Sequence, residues 1–231
     1  MESGYYAVGK SYLAKWLIKN FYKESYMIGI IDAQSGNIGS VENALNKLNI
    51  QYLVITKKSQ IKSGLKLILP GVGSFHRLMK NLVDLDLLDS IKDFVNKNNP
   101  FLGICVGMQI LLSFGLEEKK TEGLGVFQGE VVKFEKSLNQ KIPLISWIKI
   151  SENQNKEKNL LLKNCKDMNF YFLHSFFCDI QNKDKIIAYS NYGNKKYPAI
   201  INQGKIYGVQ FHPEKSSNSG LQLLKNFSEI N

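Results

Sequence analysis

From Met27 onward, short runs rich in β-branched and aliphatic residues alternate with stretches of helical spacing, and this alternation limits the fold more than any other feature of the chain. A strand that is apolar on both sides needs cover on both faces, so strand–helix–strand repetition implies a mainly parallel sheet flanked by helices. Met27 to Asp32 reads as the first strand, followed by a turn at Ser35-Gly36-Asn37 and a helix to about Leu48. Gln51 to Thr56 is the second strand, and Lys66 to Leu69 the third, running into the glycine loop Pro70-Gly71-Val72-Gly73. Leu78, Leu82, Leu85, Leu88, Ile91 and Val95 then recur at helical spacing up to Pro100. Phe101 to Cys105 is a strand again, and Met108 to Phe114 is predicted to continue as a helix ending near Gly115.

The pattern changes after Gly123. Val126 to Phe134, Pro143 to Ile150, Phe170 to Leu173, Ile186 to Tyr189 and Ala199 to Asn202 follow with few helix signals, which points to antiparallel or mixed strands packed on the first half. Lys205 to Phe211 is the last strand and Leu221 to Ile230 a closing helix, while Ser151 to Lys158 reads as a polar loop. The expectation is an α/β fold over 27–231, with a central, mostly parallel sheet and additional antiparallel strands.

Residues 1–26 stand apart from this domain. They are rich in aromatics and lysine, and Val8, Tyr12, Trp16 and Leu17 fit one face of an amphipathic helix. An appended surface helix, or a start codon upstream of the true one at Met27, is the plain reading; docking to a membrane surface or a partner is the alternative. The segment has no apolar h-region followed by a cleavage site, so it is not read as a secretory signal.

Charge and cysteines narrow the class of activity. The formal net charge is +10, but of the 30 basic residues only Arg77 is an arginine, and the lysines are scattered along the chain. Nucleic-acid readers cluster their positive charge and favour arginine for bidentate base contacts, so nucleic acid is not an expected partner. Cys105, Cys165 and Cys178 are odd in number and far apart, which fits neither a disulfide framework nor a zinc site and points to a reducing cytoplasm. No apolar run approaches the roughly 20 residues needed to span a bilayer, so a membrane is not expected either.

Chemistry concentrates in two stretches. Gly103-Ile104-Cys105-Val106-Gly107 is a strand turning sharply into a helix with a thiol at the corner, the pattern of the Gly-x-Ser-x-Gly nucleophile elbow. A thiol at a helix N-terminus sees free amides and the positive end of the dipole, both of which favour thiolate, and the Val106 amide can form half of an oxyanion hole. In Gly208-Val209-Gln210-Phe211-His212-Pro213-Glu214 a strand delivers a histidine and then a carboxylate. That is the order needed for a base and the group that fixes its tautomer. His76, Cys165 and Cys178 read as structural or surface residues.

Together these motifs resemble the class I (triad) glutamine amidotransferases, and within that family the glutaminase subunits of imidazole glycerol phosphate synthases. The resemblance runs through Ile30-Ile31-Asp32 with Gly36-Asn37, Leu69 to Phe75, Gly103 to Gln109, Tyr171 to Ser175 and Gly208 to Ser216, and so covers 27–231. It implies a flavodoxin-like three-layer fold. It also implies that Cys105 attacks the side-chain amide of L-glutamine, with His212 as base and acid and Glu214 as its partner. By the same resemblance, Val72 in the loop Gly71-Val72-Gly73 completes the oxyanion hole after a peptide reorientation. Gln109, Glu117 and Ser175 contact the substrate, and His174 either supports the partner-facing pocket or is structural. The implied partner is a (β/α)8 barrel cyclase subunit that receives ammonia, and the reaction requires neither a metal nor an organic cofactor.

Two stretches depart from the family. Pro143-Leu144-Ile145-Ser146-Trp147-Ile148 stands where Pro-His-Met-Gly-Trp-Asn is usual near the synthase, and Ala33-Gln34 where Tyr-Gly is typical. The departures motivate a second expectation, a paralogue supplying ammonia for modification of a surface-polysaccharide sugar. A third, a non-catalytic scaffold, is opposed by the intact Cys105, His212 and Glu214.

Overall fold

The computed structural model describes residues 27–135, 141–153 and 159–231. The expected N-terminal extension 1–26 and residues 154–158 of the expected polar loop lie outside them. The chain runs through β1 (Ile28–Ile31), α1 (Ile38–Lys47), β2 (Tyr52–Ile55) and β3 (Lys66–Gly71), then α2 (Phe75–Asp84), α3 (Leu88–Asn96) and β4 (Phe101–Cys105). The short α4 (Val106–Gln109) leads to β5 (Leu112–Gly115), β6 (Thr121–Glu122), β7 (Phe127–Lys133), β8 (Leu144–Lys149) and β9 (Ser151–Glu152). β10 (Asn169–His174), β11 (Phe176–Ile180), β12 (Ile186–Tyr192), β13 (Lys195–Gln203), β14 (Ile206–Val209) and α5 (Ser217–Ser228) complete it.

The main sheet is eight-stranded, in the order β2-β1-β3-β4-β14-β13-β12-β9. β2, β1, β3, β4 and β14 run parallel, and β13, β12 and β9 continue antiparallel. β1, β3, β4 and β14 are buried at every position, as expected for strands covered on both faces. In contrast β7 and β10 alternate buried and more exposed residues, because only one of their faces meets the core. They belong to two smaller sheets, β11-β7-β5-β6 and β10-β8.

The helices form where caps and apolar spacing agree. The Asn37 side chain accepts from the Ser40 amide to start α1, which buries Val41, Ala44 and Leu45. Ser74 likewise caps α2, which buries Phe75, Leu78, Met79 and Leu82. Each large apolar side chain so buried contributes about 1.5–3 kcal/mol against exposure. At the far end of the sheet, Lys66 donates from Nζ to the Ser228 carbonyl at 2.6 Å, a cation on the C-terminal end of α5.

Three expectations need correction. The single helical stretch up to Pro100 is two helices, because Asp86 takes φ 55° and the Leu87 amide turns back to the Leu82 carbonyl. The apolar spacing survives the break, so periodicity does not reveal it. The helix expected over Met108 to Phe114 stops at Gln109, and Leu112–Gly115 is a strand held between β7 and β6. A short apolar run fits either state, and tertiary pairing decides. Finally β11 directly follows β10, with only Ser175 between two sheets, and was not anticipated.

Candidate active site

The C-terminal ends of β3, β4 and β14 meet at one point of the sheet. Gly71 pairs with Cys105 across β3 and β4, and β14 lies on the other side of β4 with Val209 beside Ile104. Insertion of the last strand beside β4 therefore brings His212 to the sulfur. Ligands of open α/β sheets bind at this carboxyl edge.

Cys105 ends β4 with φ 55° and ψ −108°, a conformation that non-glycine residues adopt at a cost of about 1–3 kcal/mol. The strain is tolerable because the flanking backbone is locked in place. A Cβ on Gly103 would lie 2.3 Å from the Gly107 oxygen, and one on Gly107 would lie 2.0 Å from the Leu69 oxygen. A side chain at either position would force these backbone segments apart.

His212 is 2% exposed, and its Nδ1 lies 2.8 Å from Glu214 Oε1. Glu214 sits in a turn at Pro213–Lys215. Ser216 buckles this turn to β10, since its hydroxyl donates to the His212 carbonyl at 2.6 Å and accepts from the Tyr171 amide at 2.9 Å. His212 Nε2 has no hydrogen-bond partner among the described residues and is left for the reacting groups. Burial disfavours the imidazolium, but the pull of a charged Cys105 close by, joined by the hydrogen bond to Glu214, outweighs it and raises the ring from 6.5 to about 10.

These groups open onto a cavity of about 170 Å³, below the roughly 300–1,000 Å³ of pockets for drug-sized ligands and suited to something the size of an amino acid. Val72, Gly73, Val106, Gln109, Glu117, His174 and Ser175 line it with Cys105 and His212. Gly71 and Glu214 stand behind the lining, Gly71 paired with Cys105 and Glu214 behind His212. Glu117 Oε2 accepts from the Phe75 amide at 2.9 Å at the start of α2, and burial raises its carboxyl above the usual range despite that bond. The Val72 amide donates to the Ser35 carbonyl at 2.6 Å, so in this conformation it is turned to the first loop. Gly73 follows with φ 95° and open space around its α-carbon.

His174 is buried among Phe134, Phe172 and Tyr197, with Nδ1 2.8 Å from the Phe176 carbonyl. Burial lowers it from 6.5 to about 4, the Phe176 bond opposing and the charge of His212 reinforcing the shift. Gln210, Leu173, Phe176 and Pro143 also belong to the site and were missed from sequence. Gln210 was within reach, because it lies two positions before His212, directly after the buried strand that delivers both. Among the described residues no group of His, Cys, Asp and Glu is arranged to hold a metal ion, and no helix is long and apolar enough to cross a membrane.

Comparison with known proteins agrees with this geometry. The imidazole glycerol phosphate synthase subunit HisH of Leptospira borgpetersenii is 41% identical over 88% of this chain and 100% of its own length. Subunit HisH 1 of Methanococcus maripaludis is also 41% identical, with the same coverage of both chains. In fold, the crystal structure of a glutamine amidotransferase superposes with a TM-score of 0.66 at 20% identity, covering 87% of this chain and 97% of the other. A structure of PurLQS from Thermotoga maritima gives a TM-score of 0.63 at 15% identity, covering 88% of this chain and 97% of that one. The family model for glutamine amidotransferase class-I matches residues 29–230, and on that match and these relatives the chain belongs to the class-I glutamine amidotransferase family.

Proposed function

We propose that the chain is a glutaminase subunit in which Cys105, His212 and Glu214 release ammonia from L-glutamine for a cyclase partner. The carrying observation is that a strained, glycine-locked thiol, a buried histidine and its carboxylate converge on one amino-acid-sized cavity. The Cys105 thiolate adds to the side-chain amide carbon, and His212 gives its proton to the departing nitrogen. Ammonia leaves and a γ-glutamyl thioester remains. Water then attacks the thioester, His212 takes its proton, and glutamate departs as the thiol is restored.

The oxyanion formed in each step needs donors. Val106, the residue after the nucleophile, offers one amide, and Val72 would offer a second once its peptide leaves the Ser35 carbonyl. That requirement supports a subunit held at low activity until its partner acts. Gln109, Glu117 and Ser175 line the cavity where the amino-acid end of glutamine would lie, with Gly71 and Gly73 shaping its wall.

The relatives named imidazole glycerol phosphate synthase subunits support a (β/α)8 barrel cyclase as partner, forming imidazole glycerol phosphate and an aminoimidazole carboxamide ribotide from the ammonia. Ile145 and Trp147 on β8 are 59% and 47% exposed, and Val72 at the cavity rim is 39% exposed. Exposed apolar side chains of this kind fit a protein interface. The family match begins at residue 29, which supports reading 27–231 as the domain and 1–26 as an extension. Three free cysteines fit a reducing cytoplasm.

The altered β8 sequence favours one second reading, the same glutaminase serving a sugar-modifying synthetase. Glutamate release should be measured with each candidate synthase, for wild type and Cys105→Ala. A rise of at least tenfold with the cyclase, abolished by the substitution, is expected. Stimulation by the sugar-modifying enzyme alone would move the partner assignment, and equal release by wild type and variant would remove the glutaminase.

A further inference from the structure

Beneath the Cys105 sulfur two buried amides are hydrogen-bonded in series. Gln109 Nε2 donates to the Phe176 carbonyl at 3.0 Å and to Gln210 Oε1 at 3.3 Å, and Gln210 Nε2 lies 3.8 Å from Cys105 Sγ. Gln109 is 2% exposed and Gln210 fully buried. A backbone carbonyl can only accept, so the Phe176 oxygen obliges Gln109 to turn its NH2 group that way. The other N–H of that group meets Gln210, which must answer with its oxygen. This leaves the Gln210 NH2 group facing the sulfur. Turning the Gln210 amide over would set NH2 against NH2 and oxygen against sulfur.

The surroundings make such a donor necessary. The Leu173 carbonyl lies 3.8 Å from Cys105 Sγ, where it accepts from the neutral thiol and repels a thiolate. Of the titratable groups near the sulfur, His212 comes from the end of β14 and carries Glu214 behind it. Cys178 on β11 is held well above the ordinary thiol range by burial and by Cys105. Glu117 stands across the cavity, and His174 is kept neutral by burial. His212 is the only cationic partner among these, and it must give up its proton to the leaving ammonia. Once the sulfur is bonded to carbon it carries no charge, so a neutral donor acts on the free thiolate, before attack and again as the thioester breaks.

We propose that Gln210 is a further residue of the catalytic centre, donating an amide N–H to the Cys105 sulfur, and that Gln109 is a positioning residue that fixes the orientation of that amide through the Phe176 carbonyl. The proposal rests on the reading of Cys105 as the nucleophile. It predicts that the relay acts on the charge state of the sulfur before any substrate binds.

The test uses the full chain with Gln210→Met, which keeps the volume and removes the donor, and Gln109→Met, which leaves Gln210 in place but frees its amide to turn. Carbamidomethylation of Cys105 is followed against pH by peptide mass spectrometry, which separates it from Cys165 and Cys178. Glutamate release with the cyclase subunit is measured in parallel. A hydrogen bond to a charged group at this long distance implies an upward shift of the thiol titration of about one pH unit in Gln210→Met, with alkylation about tenfold slower below that pH. Gln109→Met should shift in the same direction by less, and Gln210→Met should lower kcat with little change in KM.

An unmoved titration in a folded Gln210→Met overturns the proposal. Should that variant not fold, an unmoved titration in Gln109→Met overturns it instead. A shifted titration in a protein whose wild type releases no glutamate with any partner would leave the relay standing and remove the glutaminase reading. Active wild type with unmoved titrations would do the reverse.

Discussion

Gly107→Ala tests the elbow on which the site depends. The added Cβ would lie 2.0 Å from the Leu69 oxygen and 3.1 Å from the Leu69 carbonyl carbon, both backbone atoms of a fully buried residue in β3. Ordinary carbon–oxygen approaches begin at about 3.3 Å, so α4 and β3 would have to separate by roughly an ångström or more. β3 is held between β1 and β4, so the movement falls on α4 and carries Val106 and Gln109 with it. Overpacking of this kind costs about 1–3 kcal/mol, and an ångström of misplacement in an active site costs about 10²-fold in rate. Urea unfolding and partner-stimulated glutamate release measure the two effects separately. Gly39→Ala in α1 is the control, because nothing lies within 4 Å of its added Cβ. Replacing a glycine inside an exposed helix turn should stabilise by about 0.5–1 kcal/mol with activity unchanged. If Gly107→Ala unfolded at the wild-type urea midpoint and kept its rate within a few-fold, the elbow would not be close-packed as described.

Two further substitutions probe the histidines. Glu214→Gln keeps the shape but can present an N–H to His212 Nδ1, which inverts the tautomer and removes a support of the imidazolium. It should lower kcat by about 10²–10⁴ with KM nearly unchanged, and an effect confined to KM would refute the assigned role. His174 has a folded pKa depressed to about 4 from 6.5 by burial. The stability it contributes is therefore present above pH 6.5 and lost as pH falls through about 4. Relative to His174→Phe, wild type should lose about 2–3 kcal/mol between about pH 7 and pH 4.5 in urea titrations. Parallel stability curves for the two proteins would contradict a neutral, buried His174.

Much of the site was readable from local patterns because the constraints there are local. Glycines at 103 and 107 around Cys105 mark a bend that a side chain at either position would force apart, and that constraint is set by backbone contacts within the elbow and its neighbouring strand. His212 and Glu214 follow a buried strand closely enough that their pairing needs only one turn. The parallel half of the sheet was likewise legible, since β1, β3 and β4 are apolar at both faces.

What the tertiary structure decided were the long-range partners. Leu112–Gly115 became a strand because β7 and β6 offered it backbone hydrogen bonds, which outweigh a helical period in so short a run. The Val72 amide points to Ser35 and the Gln210 amide to the sulfur because of carbonyls that enter from elements far away in sequence. Above all, the chain alone carries a thiol and an imidazole more than a hundred positions apart, and it is the placement of β14 beside β4 that makes them neighbours. Side-chain periodicity encodes which face of an element is buried; which elements lie side by side is settled only by the packing of the whole sheet.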